Sequence, residues 1–167
     1  MDNSASIKTG ESYFEYGFQE KNILWVFQKN GNPVIAYNME TDNWESYMLP
    51  IEIENCIHVV LKNNIFYILS LEGKVYSWNI KDNNMKLIAD CSSTINKRSS
   101  FGRIAVTDEL IYLLPALSDT IYRINIQTNE IDIYKDYPDG FHYIEPEGWG
   151  KYRGYSEDNE NYYFDMS

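Results

Sequence analysis

The chain is short of the residues that build most catalytic and metal sites. Its 167 residues include only two cysteines, Cys56 and Cys91, and two histidines, His58 and His142. Two histidines exclude a three-histidine zinc site, and the cysteines do not have metal-ligand spacing. The sequence also lacks a Gly-rich phosphate loop and a nucleophile elbow. We therefore expect no cofactor and no metal. The sequence leaves open whether the chain is an enzyme, although the missing motifs favour a protein without catalytic activity.

Long apolar runs are missing as well. The N-terminal segment MDNSASIKTG has no apolar core of the kind found in secretory signal peptides. No run approaches the roughly 18 apolar residues of a membrane span. Both cysteines stand beside strand-like runs, which is typical of reduced, buried thiols. These features predict a cytoplasmic protein that does not engage a membrane.

Positive charge is scarce. The chain has 14 Lys and Arg residues against 25 Asp and Glu residues, a net charge of −11. This charge disfavours binding to nucleic acid or to an anionic membrane surface, since both need a positive field. The excess of negative charge is concentrated in residues 136–167, which contain eight acidic residues and two basic ones. This stretch favours solubility or a docking surface for a basic partner.

What the sequence does contain is a repeat. Three stretches share one pattern: VIAYNMETDN (34–43), VYSWNIKDNN (75–84) and TIYRINIQTNE (120–130). Their aligned columns are Tyr37, Trp78 and Ile124, then Asn38, Asn79 and Asn125, then Met39, Ile80 and Ile126. A polar turn and an alternating run follow each stretch. The repeated asparagine fits this turn, because its amide bonds nearby backbone groups and it tolerates unusual backbone angles.

The repeat extends upstream through three apolar runs, ILWVFQ, IFYILS and LIYLLP, which align Trp25, Tyr67 and Tyr112. The closing residues RGYSEDNENYYFDM repeat the first half of the unit once more. Each unit therefore predicts four short strands joined by Asn, Asp and Gly turns, an antiparallel meander. The almost wholly apolar middle strands predict that both their faces are covered. No helical i, i+3, i+4, i+7 stripe of useful length is present.

A four-stranded unit of about 40 to 45 residues is the signature of a β-propeller blade. The units resemble kelch-type and related bacterial propeller repeats, through the second-strand aromatics Trp25, Tyr67 and Tyr112 and the stretch YNMETDNW. The paired glycines usual in kelch repeats are absent. The resemblance implies an all-β, propeller-type array. Its expected units are about 13–50, 56–90, 102–135 and 153–167, after an N-terminal tail or closing strand at 1–12.

The array stops at about three and a half blades, whereas closed propellers have four to eight. The ring is therefore completed by a second copy of the chain or by a different protein, or the chain is a fragment or an open propeller. Leaving an apolar blade face in water is costly, which favours association. The expected unpaired edge lies in the last strand, at Tyr162, Tyr163 and Phe164, and strand addition at such an edge is a known recognition mode.

Two groups of residues are candidates for binding. Alignment of the innermost strands places Tyr16, His58 and Arg103 in one column, with Arg153 beside it in the fourth unit. Innermost strands line a propeller's axis, so these groups predict a binding mouth where the arginines hold a carboxylate or phosphate and His58 serves as acid or base. The alternative is a set of strand ends making structural hydrogen bonds.

The second group lies in the irregular stretch 136–152, where prolines and glycines forbid regular structure. Its members are Phe141, His142, Tyr143, Trp149 and Tyr152. Long aromatic loops often make contacts, although a packed connection between blades explains the rings equally well.

These observations predict a non-catalytic binding or assembly module that engages a protein through the open edge and the 136–152 loop. Two alternatives remain. One is a propeller enzyme acting on a carbohydrate or small acidic substrate at the axial mouth, through His58, Arg103 and Arg153. The other is a glycan-binding module that uses Tyr16, Trp149 and Tyr152 as stacking platforms.

Overall fold

A computed structural model describes residues 14–28, 32–53, 55–92, 101–116, 120–134, 154–157 and 162–165. The regular elements in these ranges are fourteen β-strands. The strands are β1 Phe14–Glu20, β2 Ile23–Gln28, β3 Val34–Asn38, β4 Asn43–Tyr47, β5 Cys56–Lys62, β6 Ile65–Ser70, β7 Lys74–Asn79, β8 Asn84–Asp90, β9 Phe101–Val106, β10 Leu110–Pro115, β11 Ile121–Asn125, β12 Ile131–Tyr134, β13 Gly154–Glu157 and β14 Tyr162–Asp165.

The strands form three four-stranded antiparallel sheets and one two-stranded sheet. Each large sheet is a meander in chain order: β1–β4, β5–β8 and β9–β12. Strands β13 and β14 pair with each other. The arrangement is an open, propeller-type array, as the repeat predicts.

The repeated asparagine closes the same turn in all three large sheets. The Asn38 Oδ1 accepts the backbone N–H of Glu40 at 3.0 Å, and the Asn79 Oδ1 accepts that of Lys81 at 3.0 Å. The Asn125 Oδ1 accepts the N–H of Gln127 at 2.9 Å. The predicted turn chemistry is therefore confirmed for the side chain. The left-handed backbone occurs four residues later instead, at Asp42, Asn83 and Asn129, with φ between 52° and 60°.

The first and second sheets pack face to face around Phe66, which is fully buried. Its ring lies 4.8 Å from that of Trp25 in an edge-to-face arrangement and 5.2 Å from that of Trp78. Offset and edge-on geometries are the favourable ones for aromatic pairs. Cys56 is also buried in this cluster.

The second and third sheets enclose another cluster, which includes Tyr67 and Leu69 from β6 and Ile111 and Leu113 from β10. Neighbouring residues of β6 thus point to opposite sides, Phe66 to the first sheet and Tyr67 to the third. Strand β6 is buried on both faces, as its apolar sequence predicts. Cys91 lies in this second cluster, and burial, with the nearby Asp90 carboxylate, raises the pKa of its thiol to about 11.

The middle strand of the first sheet does not follow this pattern. In β2 only Trp25 and Phe27 are buried, and the other four residues of the strand are partly exposed. The buried pair faces the second sheet. The prediction of two covered faces therefore holds for β6 but fails for β2, because the first sheet has a neighbouring four-stranded sheet on one side only in the described part of the chain.

Candidate functional site

The innermost strands β1, β5 and β9 lie side by side, and each carries a bulge at the same place. The pairing with the second strand of the sheet shifts between Phe14 and Tyr16, between Cys56 and His58, and between Phe101 and Arg103. A bulge re-aims the side chains around it and often occurs next to functional sites. Tyr16, His58 and Arg103 therefore occupy equivalent positions, each directly after a bulge.

His58 joins the three inner strands. The Tyr16 hydroxyl lies 3.2 Å from the His58 Nε2, and the two ring centroids are 4.8 Å apart. On its other side, the His58 Nδ1 accepts the backbone N–H of Ile104 at 3.4 Å. Because Nδ1 is an acceptor, the neutral ring carries its proton on Nε2 and donates it to the Tyr16 hydroxyl oxygen.

The electrostatics of the cluster keep His58 neutral. The side chain is 3% exposed, and this burial, together with the positive charge of Arg103, lowers the pKa of His58 to about 4. Burial raises the pKa of the Tyr16 hydroxyl, and Arg103 opposes that effect. At neutral pH the cluster thus holds an uncharged imidazole, a protonated phenol and one guanidinium.

This arrangement defines what the cluster can do chemically. A buried imidazole with a pKa of about 4 and contacts at both nitrogens is a weak base and is almost entirely unprotonated at neutral pH. Its geometry favours positioning of Tyr16 over acid–base work. The phenol and the partly exposed Arg103 offer hydrogen-bond donors, which suit an oxygen-rich anionic group.

A second set of contacts ties the opposite ends of β5 and β9. The Lys62 ammonium lies 3.1 Å from the Asp108 carboxylate and 3.4 Å from the carbonyl oxygen of Val106. Together with the His58 contact to Ile104, it fixes the alignment of the two inner strands at both ends. Sequence comparison missed this pair, because its members are not in equivalent positions of the repeat.

Several predicted site residues lie outside the described residues. These are Arg153, Phe141, His142, Tyr143, Trp149 and Tyr152. The edge residues Tyr162, Tyr163 and Phe164 lie in β14, whose backbone pairs with Glu157, Ser156 and Tyr155 of β13. Within the described ranges β14 has β13 as its one strand partner.

Two further observations bear on the kind of site. In the described ranges, no helix has the length and apolar character needed to cross a membrane. In the same ranges, no group of three or more His, Cys, Asp and Glu side chains is placed to hold a metal ion.

Comparison with known proteins identifies the fold. The chain matches no protein-family model and no curated protein. It is similar to the extracellular domain of a protein described as a hybrid two-component system, BT3049 of B. thetaiotaomicron, with a TM-score of 0.63 and 11% identity over 100% of this chain and 23% of that one. The N-terminal domain of Nup159 gives a TM-score of 0.46 and 11% identity, over 71% of this chain and 29% of that one. The chain thus spans less than a third of the length of each, and its fold is all-β and propeller-type.

Proposed function

We propose that this chain is a non-catalytic interaction module whose partner is a protein. The observation that carries the proposal is the open array, in which three four-stranded sheets are followed by the two-stranded sheet β13–β14. Open sheet edges present unpaired backbone groups, and propellers normally remove them by closure. The similarity to propeller-type domains supports the fold on which this proposal depends.

The partner adds a strand beside β14, at Tyr162, Tyr163 and Phe164, and also contacts the 136–152 loop. In strand addition, main-chain hydrogen bonds supply affinity and alternate side chains supply specificity. Neighbouring residues of a strand direct their N–H groups to opposite sides. One of the two residues Tyr163 and Phe164 therefore points its N–H toward β13, and the other points it toward the partner.

Proline substitution tests this edge, because proline has no N–H to donate. We expect one of Tyr163→Pro and Phe164→Pro to abolish association while the other disturbs the β13–β14 pairing. The measurement is native mass spectrometry of the purified chain and of the chain isolated from its source extract, with Leu87→Glu on β8 as a control. A chain that stays monomeric in both preparations contradicts the proposal.

A second candidate function follows from the inner-strand bulges, which bring Tyr16 and His58 into contact next to Arg103. It is the binding of a small acidic ligand at the axial mouth, with Arg103 and Arg153 as its cationic groups. Binding at this mouth is measured by titrating the natural chain and Arg103→Gln with small carboxylates and phosphate esters. Equal responses of the two proteins would exclude this role for Arg103.

A further inference from the structure

The face of the first sheet that points away from the second sheet is largely apolar, with the Asp42 carboxylate at its edge, where it accepts the Tyr37 hydroxyl at 2.6 Å. Strand pairing defines it as two rows, since paired residues share a face and neighbours alternate. The rows are Gly17, Val26, Ile35 and Ser46, and Gln19, Leu24, Tyr37 and Trp44. We call this surface the leading face. The Tyr37 and Trp44 rings stack on it with centroids 4.3 Å apart, and Trp44 is 58% exposed.

The same face is buried in the other two large sheets. Leu24 and Tyr37 are paired in the first sheet, as are Phe66 and Trp78 in the second. The third sheet pairs Ile111 with Ile124 at this position. The side chains of these second-sheet and third-sheet residues are all 0% exposed, whereas Leu24 and Tyr37 are partly exposed.

The outer strands give the same comparison between the first and second sheets, whereas Ile131 of the third sheet, at the same position, stays 40% exposed. Trp44 is paired with Tyr37, and Met85 is paired with Trp78 at the equivalent position. Met85 is 8% exposed because the first sheet covers it, and Trp44 is 58% exposed. The leading face is therefore the interface surface of a sheet whose preceding neighbour is not among the described sheets.

We infer that the leading face docks against a second copy of this chain, which supplies the missing preceding sheet. This inference depends on the proposed function as an interaction module, and it names the surface and the partner. In the second and third sheets, the leading face is covered by the opposite face of the preceding sheet of the same chain. In a second copy the opposite faces of the first and second sheets are already covered, and the corresponding face of the third sheet carries Tyr112 and the Arg123–Asp132 ion pair.

Charge and blade number agree with this partner. Each copy carries a net charge of −11, yet neither row of the leading face contains a charged residue. Two copies can thus bring these rows together without opposing like charges, and the Asp42 carboxylate at the edge of the face accepts the Tyr37 hydroxyl at 2.6 Å. Two copies supply six described four-stranded sheets and two β13–β14 sheets, and closed propellers have four to eight blades.

The test is sedimentation velocity over a wide concentration range, with native mass spectrometry of mixed tagged and untagged copies. We expect mixed dimers for the natural chain and at least about tenfold weaker self-association for Trp44→Glu, the usual scale for loss of a central aromatic contact. Ser46→Arg is a second variant. It adds a charged side chain to the leading face, and because Ser46 is exposed, the substitution removes no buried packing contact.

Leu87→Arg is the matched control. Leu87 pairs with Tyr76 as Ser46 pairs with Ile35, so the two residues are equivalent, and the second sheet already has a neighbour on its leading side. This variant should associate like the natural chain. Ser46 lies at the rim of the face, since the equivalent Leu87 is 46% exposed in the covered second sheet, so Trp44→Glu is the decisive variant. A monomer at every concentration, or equal association of Trp44→Glu and the natural chain, overturns the inference. The proposed function survives that outcome if the β14 variants still change binding to a different protein, and it fails with the inference if they do not.

Discussion

At the scale of single residues, His58 decides how the inner strands respond to acid. Its ring contacts Tyr16 on β1 and the Ile104 amide on β9, and its pKa in the folded protein is about 4. A second proton would have to enter at Nδ1, which accepts the Ile104 N–H. Protonation therefore breaks a contact between sheets in addition to placing a charge in a buried site.

The pH dependence of stability follows from this pKa. In the unfolded chain His58 titrates near the ordinary value of 6.5, so between about pH 6.5 and pH 4 the unfolded state binds more protons than the folded state. Stability must fall as the pH falls through this window. We expect His58 to contribute a loss of about 2 kcal/mol between pH 7 and pH 5.

Urea unfolding of the natural chain, His58→Asn and His142→Asn at the two pH values measures this contribution. His58→Asn should lower stability at pH 7, since it alters one buried and one partly buried hydrogen bond, and should flatten the pH dependence. His142→Asn should retain the pH dependence of the natural chain. If both variants lose stability between the two pH values as the natural chain does, the buried neutral imidazole is not its cause.

The sequence predicts the column of Tyr16, His58 and Arg103 but not how its members interact. Alignment of the repeats is enough for the column, because equivalent positions of equivalent strands meet at the axis. The bulges before each residue have no clear mark in the sequence, since the extra residues Glu15, Ile57 and Gly102 share no chemistry. The tautomer of His58 depends on a backbone amide of another sheet, which no local pattern encodes.

At the scale of elements, two devices hold the hairpin between the third and fourth strands in the first and second sheets, and the third sheet shares only the first of them because Ile124 takes the aromatic position. The asparagine column caps the turn, and an aromatic side chain just before it reaches the turn's end. The Tyr37 hydroxyl donates to the Asp42 carboxylate at 2.6 Å, and the Trp78 Nε1–H donates to the Asn83 Oδ1 at 3.0 Å. Both acceptors, Asp42 and Asn83, have positive φ. Each therefore combines a side-chain hydrogen bond with a left-handed backbone conformation.

Substitutions at Asn83 separate these two effects. Asn83→Ala removes the acceptor of the Trp78 N–H. It also places alanine, which tolerates positive φ less well than asparagine, at φ 52°. We expect this substitution to destabilise the fold by about 2 kcal/mol. Asn83→Gly also removes the acceptor but accepts positive φ, so its loss should be smaller. Equal losses in chemical unfolding would mean that the backbone conformation contributes nothing.

The turn residues were predictable at this scale and the burial of the strands was predictable only in part. Asparagines at fixed offsets between apolar runs indicate hairpins, since the turn depends on local chemistry. The apolar runs of β2, β6 and β10 look alike, yet β2 is covered on one face and β6 on both. Burial of a sheet face depends on the neighbouring sheet, which the sequence of the strand does not contain.

At the scale of the whole molecule, the order of the sheets sets a gradient of local stability. Among the described residues, the second sheet packs on both sides and the first on one. Local opening is least favourable where most apolar surface is covered. Amides of β6 should therefore exchange with solvent more slowly than those of β2, and amides of the exposed outer strands β4 and β12 should exchange fastest.

Hydrogen exchange by mass spectrometry at several protein concentrations measures this gradient and links it to assembly. If a second copy covers the leading face, exchange in β2 and β3 slows as the concentration rises, because dimerisation stabilises the sheet that it covers. Exchange in β6 should change least, since both faces of that strand are buried within one chain. The Leu87→Arg protein should repeat this behaviour and the Trp44→Glu protein should lose it. If β2 is already as protected as β6 at the lowest concentration and does not respond to dilution, its outward face is covered within the monomer and the first sheet has no need of a second copy.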